Sequence, residues 1–410
     1  MRERKRKPRK IAFFGHFDST NFGNESTLQA MLYNLRNFEP SAEVFCISTG
    51  PAATSATHNI AAIPVDERLI EFWSPRNPFG RTFRRICIGL LNEAYRWVKG
   101  FARLRRTEML IIPGTGLLSD AYGFWGWGPY TLLRWSLIAK ICRCKLLLVS
   151  VGAGPVYSQL GRLFVRLILS LADFRSYRDD STLRYLASIG FRADSDLVSP
   201  DLAFSLPESV IPRRDANKSH RCVVGLGVML YAGKYSIANP SDEVYLAYLE
   251  NLAVFTEWLL ARGYEVRLLI GDRSDTNATQ EFRTFLRERI SPGHEEYVIE
   301  APIRSVDDLL SEIAATDLVV ATRFHNVLLS LFSLKPVISI SFHHKCESLM
   351  SEMGLLEYCL DLNNLKIDQL IGKFCDLEAN CGKIKSSIMK KTHELREALD
   401  TLYRHIFRDI

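Results

Sequence analysis

The residues best suited to chemistry sit at the ends of short apolar runs. Residues 318–322 (LVVAT) lead directly into Arg323-Phe324-His325. An arginine and an imidazole two positions apart combine two tasks. The guanidinium fork suits a carboxylate or a phosphate, and the imidazole titrates near working pH. The next apolar run, 337–341, opens into His343-His344-Lys345, which adds cations to the same rim if the two runs form neighbouring strands. Tyr177-Arg178-Asp179 and Ser199-Pro200-Asp201 end two earlier strand-like runs. A lone arginine or histidine in such a place is as often a structural partner as a functional group. Several cations gathered with few carboxylates, however, call for an anion. Three histidines also raise a metal site. The scarcity of carboxylate partners counts against it, and no metal is expected.

Glycines accompany these strand ends. Gly15 closes the first apolar run and Gly23-Asn24-Glu25 opens the helix that follows; Gly114-Thr115-Gly116 and Gly152-Ala153-Gly154 follow two later runs. Such glycines let backbone approach a ligand, and helix N-termini favour anions. None forms a G-x-G-x-x-G fingerprint or a G-x-x-x-x-G-K-[ST] phosphate loop, so each alone reads equally well as a tight turn. Three in one half of the chain argue for a ligand-facing rim. The segment AYGFWGWGPY (121–130) sets Trp125 and Trp127 among glycines, a pattern that suits the apolar faces of sugar rings or, equally, a buried loop plug.

Short β-rich runs ending in glycine and separated by helical stretches are the pattern of parallel sheets with crossover helices. Strands are expected at 11–14, 44–47, 109–112 and 145–151. A second series begins with strands at 222–228 and 266–270, and continues at 297–299, 318–321 and 336–341. Its helices are expected near 241–262, 278–289, 305–315, 325–333, 366–377 and 383–407. The expected organisation is a basic tail (1–10), an N-terminal Rossmann-like domain on the acceptor side (11–206) and a linker (207–220). A C-terminal Rossmann-like domain with closing helices, on the donor side, completes it (221–410). Two doubly wound α/β domains would face each other across a cleft at the C-terminal ends of their strands.

Bulk properties narrow the class. With 47% apolar and 24% charged residues in 410, the chain is neither disordered nor a disulfide scaffold. Nine cysteines, mostly in apolar strings such as those around Cys46 and Cys87, suggest a reducing cytoplasm; Cys142 and Cys144 lack a second pair at zinc spacing. The most apolar stretch, 132–154, is interrupted by Arg134, Lys140, Arg143 and Lys145, which argues against a spanning helix. Residues 1–10 hold seven Lys/Arg and one acid, whereas 11–410 carries equal numbers of basic and acidic residues. The neutral body argues against nucleic-acid binding. The tail reads as a solvated end or as a contact for anionic lipid. The segment 83–106 places Leu90, Leu91, Val98 and Phe101 on one helical arc and Arg84, Arg96, Lys99 and Arg103 on the other. It is either a helix packed on its own sheet or one lying in a lipid interface.

Taken in order, these segments resemble the polysaccharide pyruvyltransferase family. The matching pieces are Asn21-Phe-Gly-Asn-Glu25, Gly114-Thr-Gly-Leu-Leu-Ser-Asp120, Val151-Gly-Ala-Gly154, Tyr177-Arg-Asp-Asp-Ser-Thr-Leu183, Pro200-Asp-Leu-Ala203, Thr322-Arg-Phe-His325 and the run from Lys335 through Lys345 to Gly354. The family commonly has Gly-Asp-Glu where Gly23-Asn24-Glu25 stands, and a third glycine at Thr115. The resemblance implies a GT-B-like pair of Rossmann-like domains. It further implies transfer of pyruvate from phosphoenolpyruvate onto two hydroxyls of one sugar, forming a cyclic ketal and releasing phosphate. Phosphoenolpyruvate is then a co-substrate and no cofactor is needed. Under that reading Arg178, Arg323 and Lys345, with Gly152 and Gly154, bind the donor. His325 is the general acid/base, with Asp201 as second candidate. Gly15, Asn21, Gly23, Glu25, Gly114, Gly116, Trp125 and Trp127 fall to a glycan acceptor, lipid-linked or free. The protein would be cytoplasmic, with peripheral contact to the inner face of the membrane as one option. Two rivals stand beside this reading: a GT-B glycosyltransferase using a nucleotide sugar, and a non-catalytic glycan-binding relative.

Overall fold

The computed structural model describes residues 8–18, 20–71, 78–120, 128–192, 196–212, 221–231, 242–291 and 293–410, without the side chains of 78–86 and 242. The chain divides into two compact units. The first comprises residues 1–18, 34–202 and 404–410; the second comprises 19–33 and 203–403.

In the first part of the chain the elements are β1 (Lys10–Gly15), α1 (Phe22–Phe38), β2 (Glu43–Ser48), α2 (Pro51–His58), β3 (Ala61–Pro64), α3 (Pro78–Leu104), β4 (Met109–Pro113), α4 (Pro129–Ile141), β5 (Lys145–Val151), α5 (Gln159–Leu171), β6 (Phe174–Tyr177), α6 (Asp180–Ser188) and β7 (Leu197–Val198). All seven strands are parallel, in the order β3-β2-β1-β4-β5-β6-β7. Strands buried on both faces read as continuous apolar runs, and β1 and β4 are buried through Ile11–Phe14 and Met109–Ile112. The chain end returns to this unit. Arg9 binds Glu39, Glu108 and the Phe407 carbonyl, and Phe407 packs on Phe38 with ring centroids 5.9 Å apart.

The second part runs β8 (Val223–Gly227), α7 (Asp242–Ala261), β9 (Glu265–Leu269), α8 (Asp275–Arg287), β10 (Val298–Ile299), α9 (Val306–Ala314), β11 (Leu318–Ala321), α10 (Phe324–Phe332), β12 (Val337–Ser341), α11 (His344–Glu352), β13 (Cys359–Asp361), α12 (Ile367–Ala379) and α13 (Cys381–Arg404). Its six parallel strands are ordered β10-β9-β8-β11-β12-β13. Both sheets are therefore Rossmann-like. The strand order reverses between β1 and β4 in one and between β8 and β11 in the other, and such switch points are where α/β sheets bind ligands. Strands β11 and β12 are neighbours, with Ala321 beside Ser339.

Helix α3 turns its polar side toward its own unit. Asn92, 1% exposed, accepts from the N–H groups of Leu69 and Ile70 at 2.9 and 3.0 Å. Arg134 of α4, also 1% exposed, bridges Asp66 at 2.5 Å and Glu93 at 3.2 Å. Burial opposes the charge of Glu93, but the hydrogen bond from Tyr130 and the Arg134 cation hold its carboxyl below the usual range. A buried ion pair of this kind requires that each partner stay in place. It fixes which face of α3 looks inward. Among the described residues no helix is long and apolar enough to cross a membrane.

Candidate active site

In the first unit the candidates meet at the C-terminal ends of β4, β5 and β6. Ser150 adopts φ 54°, and its hydroxyl donates to the Ser199 and Pro200 carbonyls at 2.9 and 2.5 Å. That anchor brings Asp201 beside Arg178, the residue after β6. Arg178 is 8% exposed and donates from Nη1 to Asp201 Oδ2 at 3.3 Å, while its Nε lies 3.8 Å from Asp179. Asp179 caps α6 by accepting from the Thr182 N–H at 2.7 Å. Burial opposes its charge, but hydrogen bonds from Ser181 and the Arg178 cation hold its carboxyl low. Gly152 lies under the guanidinium: a Cβ there would be 3.1 Å from Arg178 Nη2 and 4.0 Å from the Gly116 Cα.

Gly116, Gly152, Arg178 and Asp201 thus form one cluster. Gly154, at φ 87°, lies against the Tyr185 ring. Gly114 packs against the Ser150 carbonyl. Gly15 is covered by the Phe17 ring, so it accommodates its own loop. Trp125 and Trp127 lie outside the described residues.

The second unit holds the other cluster, and it includes residues from the start of the chain. Asn21 caps α1, its Oδ1 accepting from the N–H groups of Gly23 and Asn24 at 3.1 and 3.2 Å. Its Nδ2 donates to Asp272 at 3.1 Å. The Phe22 N–H donates to the Gly271 carbonyl and the Arg273 N–H to the Thr20 carbonyl. These bonds fasten the start of α1 to the loop after β9. Glu25, in the first turn, is buried. The sequence reading grouped Asn21, Gly23 and Glu25 with the glycines of the first domain; the structure sets them in the second unit, with Gly23 against His325. An ideal Cβ on Gly23 would fall 1.9 Å from His325 Nδ1. The imidazole therefore rests on the helix backbone where a side chain would otherwise stand. Its other face is set by Phe324, perpendicular to it with centroids 4.9 Å apart.

Arg323, between β11 and α10, is held by a residue that sequence reasoning missed. Asp275, fully buried at the start of α8, accepts from Arg323 Nε at 2.9 Å and Nη2 at 2.6 Å. It also accepts from the N–H groups of Leu230, Gly271 and Asp272. Burial opposes the Arg323 charge, yet the bonds to Asp275 more than offset this and hold the guanidinium charged. One carboxylate thereby ties together the loops after β8, β9 and β11. Asp275 takes the Nε and Nη2 edge of the fork, and the side chain stays one-quarter exposed. The signal that could have found Asp275 was Gly271-Asp272, another glycine at a strand end. Asn326, fully buried, is wedged between Gly227 and Gly271, where added Cβ atoms would come within 3.0 and 2.8 Å. Lys345 occupies the second position of α11, after β12, with its N–H on His343 Nδ1 at 3.3 Å. Among the described residues no group of three His, Cys, Asp or Glu could hold a metal ion.

Chemically, the second cluster combines a charged guanidinium, an imidazole and two helix N-termini, those of α1 and α10, at a switch point. Helix N-termini favour anions. Comparison with known proteins agrees with this architecture. The crystal structure of Anabaena Alr3699/HepE in complex with UDP superposes with a TM-score of 0.59, covering 97% of this chain and 98% of that one at 13% identity. A putative UDP-N-acetylglucosamine 2-epimerase from Listeria monocytogenes gives a TM-score of 0.64 over 98% of both chains at 9% identity. At such identities the likeness is one of fold, the GT-B-like pairing of two Rossmann-like domains. The amylovoran biosynthesis protein AmsJ of Erwinia amylovora is 20% identical over 411 residues, covering 94% of this chain and 96% of that protein. Residues 21–344 match the polysaccharide pyruvyl transferase family, a span that runs from the Asn21 cap through Arg323, His325 and β12. The chain therefore belongs to the polysaccharide pyruvyl transferase family.

Proposed function

We propose that this protein transfers pyruvate from phosphoenolpyruvate to two hydroxyls of a sugar in a polysaccharide or its lipid-linked precursor, in the cytoplasm. Similarity to AmsJ, named for amylovoran biosynthesis, supports an exopolysaccharide setting. The observation that carries the reading is the seating of His325 on Gly23 at the start of α1, next to an arginine fixed by Asp275. Phosphoenolpyruvate offers a carboxylate and a phosphate, and helix N-termini with the remaining Arg323 donors match such an anion. In the reaction a proton adds to the methylene carbon as one sugar hydroxyl bonds to the adjacent carbon. A second hydroxyl then displaces phosphate from that carbon, closing the ketal. Of the two hydroxyl protons, one replaces the proton delivered to the methylene carbon and the other leaves with phosphate. His325 is assigned the proton transfers, because it is the titratable group against the anion-favouring backbone. Lys345 is assigned to the donor. In the first unit Arg178, held by Asp201, is assigned to binding a substrate anion, which gives Asp201 a positioning role.

The test is phosphate release from phosphoenolpyruvate by purified protein with a panel of galactosides, glucosides and mannosides. Mass spectrometry would read each sugar for the gain of pyruvate less one water. Release together with that adduct is expected. Turnover of a nucleotide sugar with no release from phosphoenolpyruvate would reject the reading.

A further inference from the structure

Leu90, Leu91, Val98 and Phe101 of α3 are 67, 53, 67 and 45% exposed, and at ~100° per residue they share one arc. The opposite arc, carrying Asn92, Glu93 and Arg96, is the one turned inward. Ile88 and Leu104 are buried on the inner side as well, so the outward stripe is a second apolar surface, which a surface helix ordinarily lacks. Helix α5 repeats the feature. Its inner side, Val165, Ile168 and Leu169, is fully buried, yet Leu160, Leu163 and Leu167 are more than 40% exposed on the outside. The apolar arc of α5 is therefore wider than its own core covers, with Arg162 and Arg166 on the arc that remains. Helix α4 packs against both α3 and α5, so the two stripes belong to one helical layer of the first unit.

We propose that this outer face of α3 and α5 lies in the surface of an anionic lipid membrane. Charge selects the occupant. Helix α3 carries six Lys/Arg and one acid, Glu93, and the chain continues into Arg105 and Arg106. Helix α5 adds Arg162 and Arg166 and no acid, and α4 adds Lys140, paired with Asp173, its Arg134 being buried against Asp66 and Glu93. Arg103, Arg105 and Arg106 are exposed. Exposed apolar side chains on an acid-poor cationic layer match the interfacial mode of membrane binding. A second copy of the chain would bring the same cationic layer against itself, which like-charge repulsion disfavours.

The experiment is sedimentation of the full chain with phosphatidylcholine vesicles containing about one third phosphatidylglycerol. It reads lipid binding alone, so it stands whatever the transfer assay finds. Wild type is expected to bind, and to retain part of that binding at high salt, because the apolar contribution is not screened. The double variant Val98→Glu with Leu167→Glu is expected to bind about tenfold more weakly or worse with its melting temperature unchanged, since both positions are exposed. Three results would overturn the proposal. Wild type could stay in the supernatant. Binding could survive the double variant and vanish on removal of residues 1–8, assigning it to the tail. Concentration-dependent dimerisation without lipid, abolished by the same variant, would make the face a self-association surface.

Discussion

The two strand-end clusters use one device and differ in what it serves. In each unit an arginine following a parallel strand is clasped by a buried aspartate: Arg178 by Asp201, and Arg323 by Asp275. In each, glycine leaves room beside the key side chain, Gly152 under Arg178 and Gly23 under His325. The bonding differs. Asp201 accepts from Arg178 at 3.3 Å, whereas Asp275 takes the edge of its arginine at 2.6–2.9 Å and three backbone N–H groups as well. Only the second cluster places an imidazole on a helix N-terminus. Under the proposed function, charge recognition falls to both units and proton transfer to the second.

The sharpest way to break that assignment is His325→Ala. It is expected to lower kcat about 10²–10⁴-fold with little change in melting temperature, as general acid–base catalysis contributes in that range. Gly23→Val, which fills the seat of the ring, should approach the same loss while the imidazole is still present. A Gly23→Val enzyme near wild-type kcat would show that the juxtaposition does not matter. Stability separates the two clasps next. Asp275→Ala strands a partly buried arginine and three N–H groups, and should cost about 3–5 kcal/mol; Asp201→Ala, whose bond to its arginine is longer, should cost less. Equal shifts in thermal or urea unfolding would remove the distinction. In the first unit, Gly152→Val should displace the Arg178 guanidinium and raise the donor Km about tenfold with a smaller effect on kcat. Unchanged donor saturation would deny Arg178 its anion.

The smallest effect lies in the turn that leads into α5, whose own cap is Ser158. Asp120 accepts from the N–H groups of Tyr157 and Ser158 ahead of α5 at 2.7 and 2.9 Å. Burial opposes its charge, but these bonds hold its carboxyl below the usual range. Its contribution is therefore complete above the ordinary carboxylate pKa and is lost as pH falls through the lowered one. Asp120→Ala should cost about 1 kcal/mol near neutrality and less in acid. A cost independent of pH would contradict that cause.

Much of the scaffold was legible because parallel strands buried on both faces leave continuous apolar runs, such as 145–151 and 318–321. Arg178, Asp201, Arg323 and His325 stood out as candidates because strand ends can be located and their residue types read there. The helix expected near 278–289 begins instead at Asp275; Ser274-Asp275 is a helix-start pattern, but that the carboxylate serves two other loops, through Leu230 and Arg323, is written nowhere near it. Asn21, Gly23 and Glu25 were legible as a helix start, yet nothing local says that their glycine makes room for a histidine from the far end of the chain. Helix α3 makes the same point. Its amphipathic period was plain, but the buried pairing of Arg134 with Asp66 and Glu93 chose the inward face.

Periodicity and turn chemistry act over a few residues, so the sequence by itself determined the kinds of element, their approximate spans and the charged groups at strand ends. Which carboxylate holds which arginine, what Gly23 leaves room for and which way α3 faces were decided only in the tertiary structure. Those outcomes depend on contacts between residues distant in the chain, where close packing and the cost of an unpaired buried charge select one partner.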